Sequence, residues 1–248
     1  KYVLMNQLPK AIETLQSALA FCKKDGNVEG QGTALEQMSQ ICMMNDDHEQ
    51  HIKLVEEHLE LVRSDGSKIE EFKLLVELTQ ACVKNKEFNK VIHIGEQAME
   101  LAPINQDKVL LLYLLHSLGM GLRETGEEGK ALEKFEVAVG LSEKTPKAPL
   151  LGELFQMIGE MVYKSGDIPG ALKNLKRGLE AVQKTKNLKA EGSLMIQLAE
   201  IHMESQGEEQ AINYFDEALS ISKKSKDLSM KGRVLWSSSQ AFGKKGNL

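Results

Sequence analysis

The chain repeats itself every 40 residues, and that period constrains its fold more than any other feature. One column of positions holds Ser39, Thr79, Gly119, Gly159, Ala199 and Ser239, all small. A second holds Ala11, His51, Val91, Ala131, Ala171 and Ala211, and a third holds Ala18, His58, Ala98, Ala138, Gly178 and Ala218. A fourth is large and apolar: Leu35, Leu75, Leu115, Phe155, Met195 and Leu235. Self-similarity at fixed spacing implies a stack of like units, each burying its apolar face against the next, rather than one globular core. The reading is a single array over residues 1–248 of about six 40-residue repeats, the first and last incomplete. The chain opens at Lys1 inside a repeat, which predicts that it is part of a longer protein.

Each repeat reads as two helices. Ile12, Leu15, Leu19 and Cys22 recur at helical spacing behind Pro9, which suits a first helical turn. Asp25-Gly26-Asn27 closes that helix, and Asp65-Gly66-Ser67 closes its counterpart one repeat later. The same alternation predicts helices over residues 29–44, 68–84, 88–101, 107–124, 128–142, 150–164, 168–184, 188–204, 208–223 and 228–244. Between them lie Asn45 to Asp47, Thr125-Gly126, Ser165-Gly166, Gln206-Gly207 and Lys245-Gly246, where glycine accepts the left-handed conformation that ends a helix. Pro103, Pro146 and Pro149 fall between helices, and Lys1 to Met5 reads as the tail of another. The small columns have a physical purpose. Helices approach at the short end of the 8–10 Å range only where the facing side chains are Gly, Ala or Ser.

Those columns carry a family resemblance. MGLRETGEEGKALEKFEVAV, MVYKSGDIPGALKNLKRGL and IHMESQGEEQAINYFDEAL resemble copies of the tetratricopeptide repeat. The pattern is a small residue after Leu or Ile, a turn Gly followed by an acidic residue, then Ala and a second small residue. The commonest period of that family is about 34 residues. The period of 40 is similar to the longer-helix branch seen in kinesin light chains, Leu-Gly-Asn repeat adaptors and rapsyn. His51 and His58 stand where alanines are expected. The resemblance implies an all-α, right-handed superhelical solenoid of antiparallel helix pairs, open at both ends. In it the first helix of each pair lines a concave groove.

Composition narrows the function classes. A net charge of −5 supplies no basic footprint for nucleic acid, and no apolar run approaches a membrane span. Three cysteines without a CxxC pattern predict reduced thiols and a cytoplasmic setting, to which the kinesin light chain resemblance adds the cytoskeleton. Cys42 and Cys82 share a core column and read as inert buried thiols. His48, His51 and His58 do not make a metal site by spacing, because His51 and His58 lie two turns, about 10 Å, apart along a helix. The glycines of residues 26–32 and 119–126 lack the Lys-Ser/Thr and the strand of a phosphate loop. Lys223 to Lys226 reads as a solvated helix end, and Ser237 to Ser239 as packing and surface rather than a nucleophile. No catalytic, cofactor or metal residue is expected.

The positions that vary in chemistry are the candidates for a binding face. Immediately after the small column come Gln40, Gln80, Met120, Glu160, Glu200 and Gln240. Three residues before it stand Glu36, His116, Gln156, Ile196 and Trp236, and four after it stands Tyr163. An ordinary solvated helix face is the bland alternative; the chain's only Trp on this stripe favours an interface. The Lys and Asn of the carboxylate clamp found in part of the family are absent, as is the Asn of the Leu-Gly-Asn class. The expectation is a non-catalytic scaffold that holds a peptide or helix of another protein. The alternative is a peptide-sensing regulatory domain that controls an effector outside this segment. Open apolar end faces further predict self-association or dependence on flanking chain.

Overall fold

The computed structural model describes residues 8–104, 107–143, 150–205 and 207–246. Among them the chain forms twelve α-helices, a short 3-10 turn at Ala102–Ile104 around Pro103, and no strand. In order they are α1 Leu8–Asp25, α2 Val28–Met44, α3 His48–Asp65, α4 Lys68–Lys84, α5 Phe88–Leu101, α6 Lys108–Glu124, α7 Glu128–Ser142, α8 Leu151–Lys164, α9 Ile168–Thr185, α10 Leu188–Glu204, α11 Glu208–Ser225 and α12 Leu228–Gly246. Expectations that concerned Lys1 to Met5, Pro146, Pro149 and Gln206 lie outside the described residues. The turn expected at Lys245-Gly246 is instead the end of α12.

The connections keep the repeat as strictly as the cores do. Among the described residues, a residue with positive φ recurs at steps of 20 or 40 positions, at Gly26, Asp46, Gly66, Lys86, Gly126, Gly166, Lys186 and Lys226. It reverses the chain at the helix end, where the Gly66 N–H still donates to the Val62 carbonyl. The next residue starts the following helix. Asn27, Asp47, Asp167, Asn187 and Asp227 each accept a backbone N–H with a side-chain oxygen, and Asp107 accepts two. Each such cap satisfies a donor that the first helical turn leaves open. A left-handed residue followed by a side-chain cap is therefore a recurrent connection among the described residues, although Ser67 and Glu87 start their helices without such a bond.

The chain divides into two compact units, residues 1–131 and 132–248. In the first, α1 to α6 pack consecutively, and α4 also touches α6. Its core holds Ile52, Val55, Phe72, Leu75, Cys82, Val91, Ala98, Leu114 and Leu118. Gly95 lies so close to the next helix that a Cβ on it would stand 2.5 Å from Leu118 Cδ2. Glu71, buried on α4, accepts from Arg63 of α3 at 3.0 Å and from Lys68 of its own helix at 2.7 Å. The hydrogen bond from Lys68 holds its carboxyl below the usual range against the opposing effect of burial, with Arg63 adding to the depression.

The second unit repeats the plan with α8 to α12. Within it, α8 pairs with α9 and α10 with α11, while α10 also lies beside α8 and α12. A Cβ on Gly159 would meet Leu175 Cγ at 2.6 Å, and one on Gly178 would meet Phe155 Cβ at 2.5 Å. Both contacts join the first helix of a pair to its own second helix, as the small columns require. Ala171, Leu175, Ala211, Phe215 and Ala218 are buried behind them. The last members of the core columns are not covered: on α12, Leu235 is 49% and Phe242 41% exposed. They lie on the face that α9 covers on α8, where Phe155 is buried.

Candidate functional site

The accessible face of first helices is formed by α2, α4 and α6 in one unit and by α8, α10 and α12 in the other. In the first unit Glu36 and Gln40 are exposed and joined, the Gln40 amide donating to Glu36 Oε1 at 3.3 Å. Gln80, His116 and Met120 are half-buried. Gln80 lines a pocket of about 390 Å³ together with Met43, His51, Val76, Glu77 and Leu110.

His51, the residue in place of an alanine, is buried there at 3% exposure. Its Nδ1 lies 3.1 Å from the Ser39 carbonyl oxygen and 2.9 Å from Ser39 Oγ, and its Nε2 lies 3.6 Å from Glu77 Oε1. A carbonyl oxygen only accepts, so Nδ1 carries the hydrogen. That nitrogen has no lone pair with which to take the Ser39 proton, and the hydroxyl donates instead to Glu77 Oε1 at 3.2 Å. Serine, histidine and acid meet here without forming an activated nucleophile. His58 is placed differently, with Nε2 3.0 Å from where a Cβ of Gly32 would stand, so glycine makes room for the ring. Among the described residues no group of three or more His, Cys, Asp and Glu side chains could hold a metal ion. Burial pushes the Cys42 thiol up, and it pushes the Cys82 thiol up to about 11, so both stay protonated at neutral pH.

In the second unit the stripe is more varied. Gln156 is half-buried, and its carbonyl accepts from the Gln197 amide at 3.4 Å. Glu160 accepts from Lys164 at 2.6 Å, Glu200 accepts from the Ser237 hydroxyl at 2.6 Å, and the Tyr163 hydroxyl donates to the Glu204 carboxylate. Trp236 is 67% exposed and Gln240 is exposed.

Ile196 is a correction. It is only 2% exposed and cannot serve as an accessible anchor beside Trp236. The reason is lateral packing. Helix α10 has a first-type helix on each side, α8 and α12. The position three before the small column points at those neighbours, and Val76 in the other unit is buried in the same way.

The sequence stripe also missed a second constellation. Gly152, Glu153, Gln156, Lys189, Ser193 and Arg233 surround a pocket of about 400 Å³ near the N-terminal ends of α8, α10 and α12. Arg233 Nη1 donates to Ser193 Oγ at 3.1 Å, one repeat away. The signal for Arg233 was present in the sequence: it has no carboxylate three or four residues to either side with which to pair.

Among the described residues no helix is long and apolar enough to cross a membrane. No protein-family model and no curated protein matches the sequence. Solved structures do match. Helix pairs of this length, with their small-residue columns, define the tetratricopeptide-like repeat fold. The chain is similar in fold to BtubC (BKLC) from P. vanneervenii, at 14% identity and a TM-score of 0.73 over 90% of this chain and 92% of that one. It is similar also to aspartyl phosphate phosphatase F from Bacillus subtilis, at 16% identity and a TM-score of 0.77, covering 90% of this chain and 59% of that one. The apo form of the quorum sensor NprR from B. thuringiensis matches at 16% identity and a TM-score of 0.73, over 98% of this chain and 67% of that one.

Proposed function

We propose that this chain is a non-catalytic protein-interaction scaffold of the cytoplasm whose first-helix face holds a peptide or helix of another protein. The observation that carries this reading is the exposure of Trp236, at 67%, beside the half-buried Glu200 and the exposed Gln240. A large aromatic left in water on a face of mixed polar chemistry is the usual centre of an interface. Tyr163, His116 and Met120 are the other sizeable side chains of the stripe, and Glu160 and Glu200 supply negative charge for a basic residue of the ligand. The buried, hydrogen-bonded state of Ser39 and His51 weighs against a catalytic reading of that cluster.

A second reading, a peptide sensor that controls an effector outside this segment, is favoured by the fold likeness to the quorum sensor NprR. The presence of an effector domain in the full-length polypeptide separates the two. The test of the common element is capture of partners on immobilised residues 1–248, followed by mass spectrometry. Trp236→Ala should weaken capture by about 2 kcal/mol or more, roughly thirtyfold. Glu160→Lys with Glu200→Lys should slow association and alter its salt dependence. Undiminished capture by both variants, or loss of helicity in Trp236→Ala, refutes the reading.

A further inference from the structure

We infer that this chain joins a second copy of itself head to tail, α12 of one copy pairing with α1 of the next to complete a helix pair. The first observation is the phase of the two end helices. Helix α12 is a first helix with no second helix after it among the described residues, and α1 is a second helix with no first helix before it. On each, the side that a pair partner should cover is open. On α1, Ala18 is exposed, whereas Ala98, Ala138 and Ala218 of its column are fully buried. On α12, Leu235 is half in water, whereas Leu35, Leu75, Leu115 and Phe155 of its column are buried.

The second observation is that the two open sides fit each other at the repeat's own step. Within a pair, Gly178 of α9 lies against Phe155 of α8, and Gly159 of α8 against Leu175 of α9. Six repeats of 40 carry Ala18 to the place that follows Leu235 as Gly178 follows Phe155. They carry Leu15 to the place that follows Ser239 as Leu175 follows Gly159. In both contacts a small residue again faces a large one. Leu15 and Ala18 line an open cleft of about 420 Å³ with Gly30, Thr33 and Ala34 of α2. The equivalent place is filled by α8, which touches both α9 and α10, so a first helix is the occupant this cleft fits. Phe21, 70% exposed, extends the fit. Leu61 of its column packs against the cluster that holds Leu19, and the same step sets Phe21 on the half-buried Leu219 of α11.

The third observation is charge. Neighbouring second helices are laced together at a step of 34 residues, Lys23 to Glu57 at 2.5 Å, Lys90 to Glu56 at 2.7 Å and Arg177 to Glu143 at 2.7 Å. Asp216 on α11 stands in the column of Glu56 and makes no ion pair among the described residues. Lys10 on α1 stands one column member before Gln50 and Lys90 and is likewise unpaired among them. Six repeats put Lys10 the same 34 positions beyond Asp216, so in the joined pair base meets acid as Lys90 meets Glu56. The two faces supply each other's missing neighbours in size and in charge, which commits the occupant to a second copy. The contact is heterologous, because the two faces differ. In it α2 of the next copy stands beside α12 as α12 stands beside α10, and Trp236 takes the covered place of Ile196. Association and the binding of another protein therefore compete for the same indole.

The experiment uses the 248-residue chain and follows its mass by sedimentation velocity from micromolar to near-millimolar concentration, with Trp236 fluorescence as a second readout. The parent should associate, and its emission should move to shorter wavelength in step. Ala18→Arg blocks the α1 face and Leu235→Arg the α12 face, both at positions that reach solvent. Phe21→Glu is a second block of the α1 face. Each variant alone should associate at least tenfold more weakly, because the join would bury an unpaired charge. Ala18→Arg mixed with Leu235→Arg should form a one-to-one dimer and grow no further, since one open α12 face and one open α1 face remain. Asp216→Lys should weaken the parent's association about two- to fivefold, the order of an exposed ion pair, and Lys10→Glu in the same chain should restore it.

The inference is overturned if the parent stays monomeric at near-millimolar concentration, or if the blocked variants associate like the parent. It is equally overturned if the mixture of blocked variants stays monomeric, or if Lys10→Glu fails to restore Asp216→Lys. A longer polypeptide that contains this segment and stays monomeric where the segment associates would assign both faces to flanking chain, and that also overturns it. The scaffold reading fails separately: Ala18→Arg leaves Trp236 open, so capture of another protein by this variant is independent of self-association.

Discussion

Replacing Gly159 tests the helix-pair register at its tightest point. The Cβ of even an alanine would lie 2.6 Å from Leu175 Cγ, closer than carbon atoms pack. Leu175 is fully buried and cannot swing into solvent, so α8 and α9 must separate or Leu175 must leave its rotamer. Such overpacking costs roughly 1–3 kcal/mol. Removing a helical glycine returns about 0.8–1 kcal/mol in propensity. For Gly159→Ala the balance is a net loss of about 0–2 kcal/mol, as the difference of those two effects. Gly159→Leu adds three more carbons with nowhere to go, which puts its loss at about 3 kcal/mol or more.

Gly140→Ala is the matched control. No atom lies within 4 Å of its Cβ position, so only the propensity gain of about 0.8–1 kcal/mol remains. Urea unfolding followed by circular dichroism at 222 nm should therefore order the proteins Gly140→Ala, parent, Gly159→Ala, Gly159→Leu. The melting temperature of Gly159→Leu should fall by roughly 6–12 °C, at about 2–4 °C per kcal/mol for a chain of this size. Repeat arrays can lose two-state behaviour, so the m-value must stay constant for the free energies to be compared. Faster amide exchange confined to α8 and α9 would locate the damage. A Gly159→Ala protein as stable as Gly140→Ala would refute the assigned register.

Three further outcomes follow from local geometry. Lys186 ends α9 at φ 58, a conformation that costs an L-residue roughly 1–2 kcal/mol, part of which glycine forfeits as chain entropy. Lys186→Gly is predicted to gain about 0.5–1 kcal/mol, and a loss in urea unfolding would show that the lysine side chain matters there. The depressed carboxyl of Glu71 contributes stability that is fully present above the unfolded value of about 4.3 and is lost as pH falls through its folded value. Glu71→Gln should cost about 1–2 kcal/mol at pH 7, below the figure for a fully buried pair because Lys68 and Arg63 reach solvent. That deficit should vanish toward pH 3; a pH-independent deficit would mean the loss is steric. Cys82, buried with its thiol raised to about 11, should resist maleimide at pH 7 until urea unfolds the first unit, and rapid native labelling would contradict its packing.

Much of this protein was legible in its sequence because each contact recurs at the same step. The spans 68–84, 88–101, 128–142 and 188–204 match α4, α5, α7 and α10 to the residue. They do so because each follows closely on a local chain reversal, at Gly66, Lys86, Gly126 or Lys186, and α10 has a cap in Asn187 besides. The small columns likewise mark where helices come closest, as Gly159 does to Leu175 and Gly178 to Phe155, since only a residue without a large side chain permits that approach.

What the sequence could not decide is lateral. Ile196 and Trp236 occupy one column, yet one is 2% and the other 67% exposed, because α10 has first-type helices on both sides whereas α12 has one beside it among the described residues. The period states that a position faces sideways, not whether a neighbour is there. Arg233 reaching Ser193, and His51 reaching Ser39 and Glu77, are likewise contacts between side chains on different helices. Their residue types vary freely from repeat to repeat, so no column announced them. Helices and pairing follow from local and periodic chemistry; which polar groups converge, and which aromatic stays in water, is decided only when the helices lie side by side.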